Sequence, residues 1–170
     1  MGREYEKTRH NAGFIFLDQI HDHLTFTENL KLKSVFSELK TQNSKLLLAK
    51  PTTLMNKSGE AVTLLKNFYK FSNEEILVCF DDLDIGLGEY KVQFEKGPRI
   101  HNGLNSVEQF VGEDFWRLRI GIDSRTEEIR KYMSGSDFVL SKFSNDEIVK
   151  ITDTFAKIRT DLKISHGDLT

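Results

Sequence analysis

The sequence predicts an α/β fold of three layers, a mixed and mostly parallel sheet flanked by helices, built as one domain over residues 1–170. Three observations predict it. Short apolar runs of strand length alternate along the chain with stretches whose apolar residues recur at helical spacing, the order that interleaved layers require. One run, "EEILVCFDDLD", is apolar without alternation up to its acidic end, as a strand buried on both faces would be. Polar residues with catalytic chemistry fall at the ends of elements, where sheets of this class place their binding crevice.

Each element follows from a local pattern. Phe14, Leu17, Ile20 and Leu24 make "HNAGFIFLDQIHDHL" an amphipathic helix, with His10 at its first turn. "VFSELKTQ" alternates, and "KLLLAKP" follows the turn-like "QNS" and closes at Pro51, which suggests a hairpin. Val62, Leu65, Phe68 and Tyr69 mark a second helix, "EAVTLLKNFYKF", with Asn56 in the loop before it. "EEILVCFDDLD" is expected to be a central strand that stops at its acidic residues, with Cys79 buried within it. "GEYKVQFEK" alternates like a half-exposed strand, and "GLNSVEQFV" reads as a short helix. "FWRLRIGI" alternates again, with Trp116, Leu118, Ile120 and Ile122 on one side. "SRTEEIRKYMSGSD" is polar and expected to be mobile. A final amphipathic helix, "SNDEIVKITDTFAKIRTDL", starts at Ser144 with Glu147 three residues on, a capping-box spacing.

Composition narrows the function classes. An apolar share of 38% with 29% charged residues is that of an ordinary soluble domain. The net charge of -2 argues against a chain coated in positive charge, so any nucleic acid must be held by a local basic patch. A single cysteine excludes an internal disulfide framework and fits a reducing cytosol. The longest apolar runs fall far short of the ~20 residues that span a bilayer, so neither membrane insertion nor secretion is expected.

Four polar clusters stand out: His10 with Asn11, Asn56, the "DDLD" of Asp81 to Asp84, and "HNG" at His101 to Gly103. Taken singly, a histidine or asparagine at a helix start is commonly a cap. Asp82 and Asp84 read as turn and surface residues; a Mg²⁺ site on "DDLD" is the sharper alternative, since hard cations favour clustered carboxylates.

Six segments in order, "EYEKTRHNAGF", "AKPTTLMNKSGEAV", "ILVCFDDLDIGLG", "HNGLNSV", "FWRLRIGI" and "DFVLSKF", resemble the bacterial-type peptidyl-tRNA hydrolase family over about residues 4 to 143. The resemblance implies a mixed sheet flanked by helices, a cytoplasmic monomer, no metal or other cofactor, and hydrolysis of the ester joining a peptide to the 3' ribose of tRNA. It assigns His10 as the general base and Asp81 as the carboxylate that orients it. Asn56 and Asn102 match asparagines that position water and substrate, and Arg119 matches a residue that clamps the 5' phosphate of tRNA. The basic companion of that arginine falls at Gln93 here, with Lys91 and Lys96 close enough in sequence to substitute. His101 and Tyr5, inside the matching motifs, are further candidates for substrate contact.

The chain also departs from the family. Members begin with an apolar strand running into a Gly-Asn-Pro-Gly loop, whereas this chain opens with "MGREYEK", Gly2 standing for the glycine after that proline. The first strand and its active-site asparagine are therefore without counterpart. In "KGPRIHNG", Pro98, Arg99 and Ile100 replace a glycine-rich loop with a stiffer, bulkier one. Two other readings follow from these departures, a non-hydrolytic RNA-binding relative and an inactive truncated product. A retained base and orienting acid, His10 and Asp81, favour the enzyme.

Overall fold

The computed structural model describes residues 7–20, 24–40, 45–98 and 101–163. The chain enters through a 3₁₀ turn, Arg9–Asn11, that leads directly into helix α1, Ala12–Gln19. This helix is shorter than its apolar spacing suggests. Leu24 lies beyond it in irregular backbone, and residues 21–23 fall outside the described residues. Gly13 lets α1 lie directly on a strand: a Cβ there would stand 2.2 Å from the carbonyl oxygen of Cys79.

The expected hairpin forms. Strand β2, Ser34–Lys40, pairs antiparallel with β3, Lys45–Pro51, in unbroken register from Ser34 opposite Pro51 to Lys40 opposite Lys45. A three-residue strand, β1 (Thr27–Asn29), adds to the outer edge of β2 and is too short to announce itself by alternation. After a second 3₁₀ turn, Met55–Lys57, helix α2 (Ser58–Tyr69) buries Gly59, Ala61 and Leu65 and ends at Lys70 in the left-handed region, φ 60°.

Strand β4, Leu77–Gly86, corrects the sequence reading twice. It does not stop at its acidic residues but runs through Asp81, Asp82 and Asp84, because each of the first two is neutralised by a partner described below. Nor is it interior among the described strands: it pairs on one side only, parallel to β6 (Trp116–Asp123), with a register shift between Asp82 and Gly86. Cys79 is accordingly half-buried. Strand β5, Tyr90–Phe94, closes the far side of β6 in antiparallel register. The α/β class and mixed pairing are as expected. The strands form two three-stranded sheets, β1-β2-β3 and β4-β6-β5, and only the β4–β6 pairing is parallel.

Helices cover both faces. Phe16 of α1 and Phe155 of α6 (Asn145–Asp161) meet in the larger core with Leu118, Ile120 and Ile122, the alternating side of β6. On the other face α2 and α3 (Asn102–Val111) pack over Phe80, Leu104, Val107 and Phe115. The polar stretch expected to be mobile forms two short helices, α4 (Glu127–Tyr132) and α5 (Gly135–Leu140). Thr126 and Ser134 cap them, and Phe138 anchors the second. The capping box of Ser144 and Glu147 forms as its spacing predicts. Among the described residues, no helix is long and apolar enough to cross a membrane.

Among the described residues, no strand pairing joins the two sheets. Between β3 and β4 lies a cleft of about 500 Å³ whose walls are Lys45 to Pro51 on one side and Leu77 to Asp81 on the other. His10, Asp81 and His101 are among the residues that line it.

Candidate active site

Asp81 is the centre of the site. It lies on β4 opposite Ile120 and is almost fully buried, where an unpaired carboxylate would be costly. Two imidazoles remove that cost. His10 Nδ1 stands 3.0 Å from Asp81 Oδ1, and His101 Nε2 stands 3.2 Å from the same oxygen. His101 caps α3, its Nδ1 accepting the backbone N–H of Leu104 at 3.0 Å, so its proton resides on Nε2 and is donated to Asp81. His10 likewise donates from Nδ1, which leaves Nε2 with a free lone pair. The two rings lie 5.2 Å apart, and the His10 side chain keeps 20% of its surface exposed, against 7% for His101.

The electrostatics follow from this wiring. Burial works against a charged Asp81 most strongly, yet the hydrogen bonds and charge of His10 and His101 outweigh it and hold its carboxyl down to about 2. Burial also opposes the charged form of His10. The hydrogen bond and charge of Asp81 together overcome that and raise its pKa above the usual 6.5.

The same wiring decides how the trio treats metals. His10, Asp81 and His101 bring three donor atoms within 4.8 Å of one another, a spacing compatible with a metal. His101, however, spends its Nδ1 lone pair on Leu104 and holds a proton at Nε2, so ligation would demand an imidazolate. The "DDLD" run is not gathered into an oxygen cage either. Asp81 takes the imidazoles, Asp84 is exposed, and Asp82 takes Arg119, whose Nε donates to Asp82 Oδ2 at 2.6 Å. Asp82 is thus not the surface residue its position in an acidic run suggests. It also accepts the backbone N–H of Asp84.

The other sequence candidates occupy the rim. Asn56, in the 3₁₀ turn before α2, and Asn102, the first residue of α3, are both exposed. Their neighbours touch: a Cβ on Gly103 would stand 2.6 Å from Met55 Sδ, so the absence of one brings the two asparagine turns together beside His101. Arg119 also donates from Nη1 to Gln93 at 2.9 Å. Lys91, exposed, is directly opposite Arg119 in the β5–β6 register and so on the same face. Lys96 is exposed just beyond β5. His101, expected to contact substrate, has both ring nitrogens engaged within the protein. Tyr5, and Arg99 and Ile100 of the altered loop, lie outside the described residues.

Sequence reasoning missed how the His10 turn is held. Arg9, almost fully buried, donates from Nη1 to Ser141 Oγ and the Lys142 carbonyl, both at 2.6 Å, and from Nη2 to Glu147 at 2.5 and 2.7 Å. Its guanidinium lies over the Phe138 ring at 4.1 Å. Thr8 bridges to Lys142, and Arg9 N–H donates to the Ser141 carbonyl. Glu147 also accepts from Ser124 Oγ and from Ser144 N–H, so a single carboxylate joins the residue just after β6, the start of α6 and the His10 turn. An arginine beside a candidate base was the available signal.

Fold and site define a class: an α/β protein in which a buried carboxylate holds a partly exposed histidine by one ring nitrogen. A sequence profile described as "Peptidyl-tRNA hydrolase" matches residues 1–168, and the chain belongs to that family. The peptidyl-tRNA hydrolase of Wolbachia sp. subsp. Brugia malayi is 39% identical over 158 residues, 92% of this chain and 85% of the relative. That of Clostridium botulinum strain Hall is 40% identical over 149 residues, 86% of this chain and 76% of the relative. Among solved structures, the Acinetobacter baumannii peptidyl-tRNA hydrolase superposes with a TM-score of 0.85 at 31% identity, covering 98% of this chain and 84% of that one.

Proposed function

We propose that the protein hydrolyses the ester between peptide and tRNA in peptidyl-tRNA, freeing tRNA from aborted translation. The observation that carries this reading is the 3.0 Å hydrogen bond that fixes His10 Nδ1 on Asp81 and leaves Nε2 as a base, in a chain of the peptidyl-tRNA hydrolase family. Nε2 takes a proton from water as that water attacks the ester carbonyl. The bond to the ribose oxygen then breaks, the peptide leaves as a carboxylic acid, and His10 returns its proton to the ribose oxygen. Asp81 stabilises the imidazolium formed between these steps. Asn56 and Asn102 donate to the developing oxyanion or hold the water without adding charge near His10. Neither step requires a cofactor.

The tRNA is held through phosphates by a local basic patch in which Arg119 and exposed Lys91 share one face. We read the chain as one domain and a cytoplasmic monomer. The test is hydrolysis of peptidyl-tRNA by purified protein. His10→Ala is expected to lower turnover by about 10²- to 10⁴-fold with the fold intact. Turnover at the parent level would discard His10 as the base, and tRNA binding without any hydrolysis by the parent would favour a binding protein.

A further inference from the structure

Arg117, on β6, is buried to 1% side-chain exposure, a costly place for a guanidinium. Its hydrogen bonds go to the segment that carries His101. Nη1 donates to the carbonyls of Glu113 at 2.9 Å and Phe115 at 3.1 Å, in the turn between α3 and β6, and Nη2 donates to Glu108 Oε1 at 2.8 Å, in the last turn of α3. The Phe115 carbonyl also accepts the N–H of Glu95, where the chain leaves β5 for His101, so both ends of residues 95–115 close on one carbonyl. Gly97, four residues before His101, lies against the arginine too: a Cβ there would stand 3.4 Å from Arg117 Nε. The guanidinium lies 4.1 Å over the Phe115 ring, and Phe115 packs with Leu104 of α3, whose N–H holds His101 Nδ1. This repeats the arrangement at Arg9, which is also buried, also lies 4.1 Å over a phenylalanine, and also divides its donors between a glutamate and main-chain or hydroxyl oxygens.

We infer that Arg117 is a positioning residue for His101 and Asn102, fixing α3 so that His101 Nε2 meets Asp81, as Arg9 fixes the turn of His10. An apolar side chain of like volume would fill the same space without desolvating a charge, so filling space does not explain an arginine here. What a guanidinium adds is direction: its donors lie in one plane and fix the acceptors around them. Helix α3 has ten residues, about 15 Å of rod, so a slide at Glu108 is delivered at His101. The His101–Asp81 contact is already 3.2 Å, and a slide of about 1 Å takes it beyond hydrogen-bond range. Asp81 Oδ1 would then serve His10 alone and stabilise its imidazolium more, raising the His10 pKa further. Among the described residues, His10 and His101 are the groups that act on Asp81, and Asp81 is the one that acts on His10. The effect on turnover rests on His10 as the proposed base; the effects on His101 and on the His10 titration do not.

The experiment uses the full chain with Arg117→Met, which keeps volume but not direction, and Glu108→Ala, which removes the acidic partner from a partly exposed helix position. Ile151→Val, in the larger core, is the control for loss of stability alone. Proton NMR follows exchange of the His101 Nε2–H and titration of the His10 ring, neither of which needs substrate. Both variants are expected to speed that exchange by about tenfold or more and to move the His10 midpoint to higher pH than in the parent. On peptidyl-tRNA, kcat is expected to fall by about 10- to 100-fold, with KM changed less than about threefold and the acid limb displaced upward with the His10 midpoint. Ile151→Val should lower the melting temperature and change none of these. Should Arg117→Met fail to fold, Glu108→Ala decides by itself. The inference is overturned if the folded variants keep the parent's His101 exchange and His10 midpoint, whatever their melting temperature, or if Ile151→Val moves both as far. A loss confined to KM would also overturn it, since α3 would then hold substrate rather than His101.

Discussion

His10 is a stronger base than a free histidine because of one oxygen, Asp81 Oδ1, and that dependence has a measurable sign. With neutral His10 proposed as the base, activity is expected to fall as pH drops through its raised pKa, placing the acid limb of kcat/KM above pH 6.5. In Asp81→Asn, burial acts on His10 with no opposing carboxylate. The limb should then shift to lower pH while turnover falls by about 10²- to 10⁴-fold. A pH–rate series on a minimal ester substrate decides this, and an unmoved limb would release Asp81 from its role. His10 and Asp81 were legible in the sequence through their motifs. The use of His101 was not, because a histidine that caps a helix with one nitrogen and supports a carboxylate with the other looks in sequence like any neighbour of a substrate-binding asparagine.

Two side-chain anchors connect whole elements to the site. Glu147 ties α6 to the His10 turn, and burial of its carboxylate is more than offset by Ser124, the Ser144 N–H and Arg9, which together lower its pKa. Glu147→Gln can still cap α6 but loses its charge toward Arg9. Stability is expected to drop by on the order of 1–3 kcal/mol, together with a several-fold loss of turnover at unchanged tRNA affinity. Chemical denaturation and a kcat-against-KM comparison test this. On the facing sheet, Arg119→Ala should weaken tRNA binding and flatten its salt dependence by about one charge. It should also destabilise the protein, since buried Asp82 loses its partner. Lys91→Ala should flatten the salt dependence alone, which separates phosphate contact from support of Asp82. Elements with a strong period, such as β2, β3, α2 and α6, could be read directly from the sequence. β1 is too short for a period, and the continuation of β4 through Asp82 depends on Arg119, which lies 37 residues further along.

For the molecule as a whole, the paired carboxylates set the acid limit. Asp81 contributes stability that is fully present above the unfolded carboxylate range near 3.8 and is lost as pH falls toward about 2. His10 has the opposite sign: its contribution is complete below 6.5 and fades as pH rises through its raised value. Melting temperature should therefore fall steeply below pH 4 in the parent and less steeply in Asp81→Asn. Chelators are expected to leave hydrolysis unchanged, because the trio is wired by protons; loss of activity that returns with added divalent metal would refute that wiring. The anchor of the His10 turn through Arg9 on Glu147 also has a meaning in time. Arg9 reaches a partner 138 positions downstream, so a ribosome making about 5–20 residues per second adds it roughly 7 to 28 s later. Throughout that interval the growing chain is itself a peptide esterified to tRNA, and its His10 turn lacks the carboxylate that holds Arg9. The protein thus comes into being as a molecule of its own substrate class, before its His10 turn has been fastened.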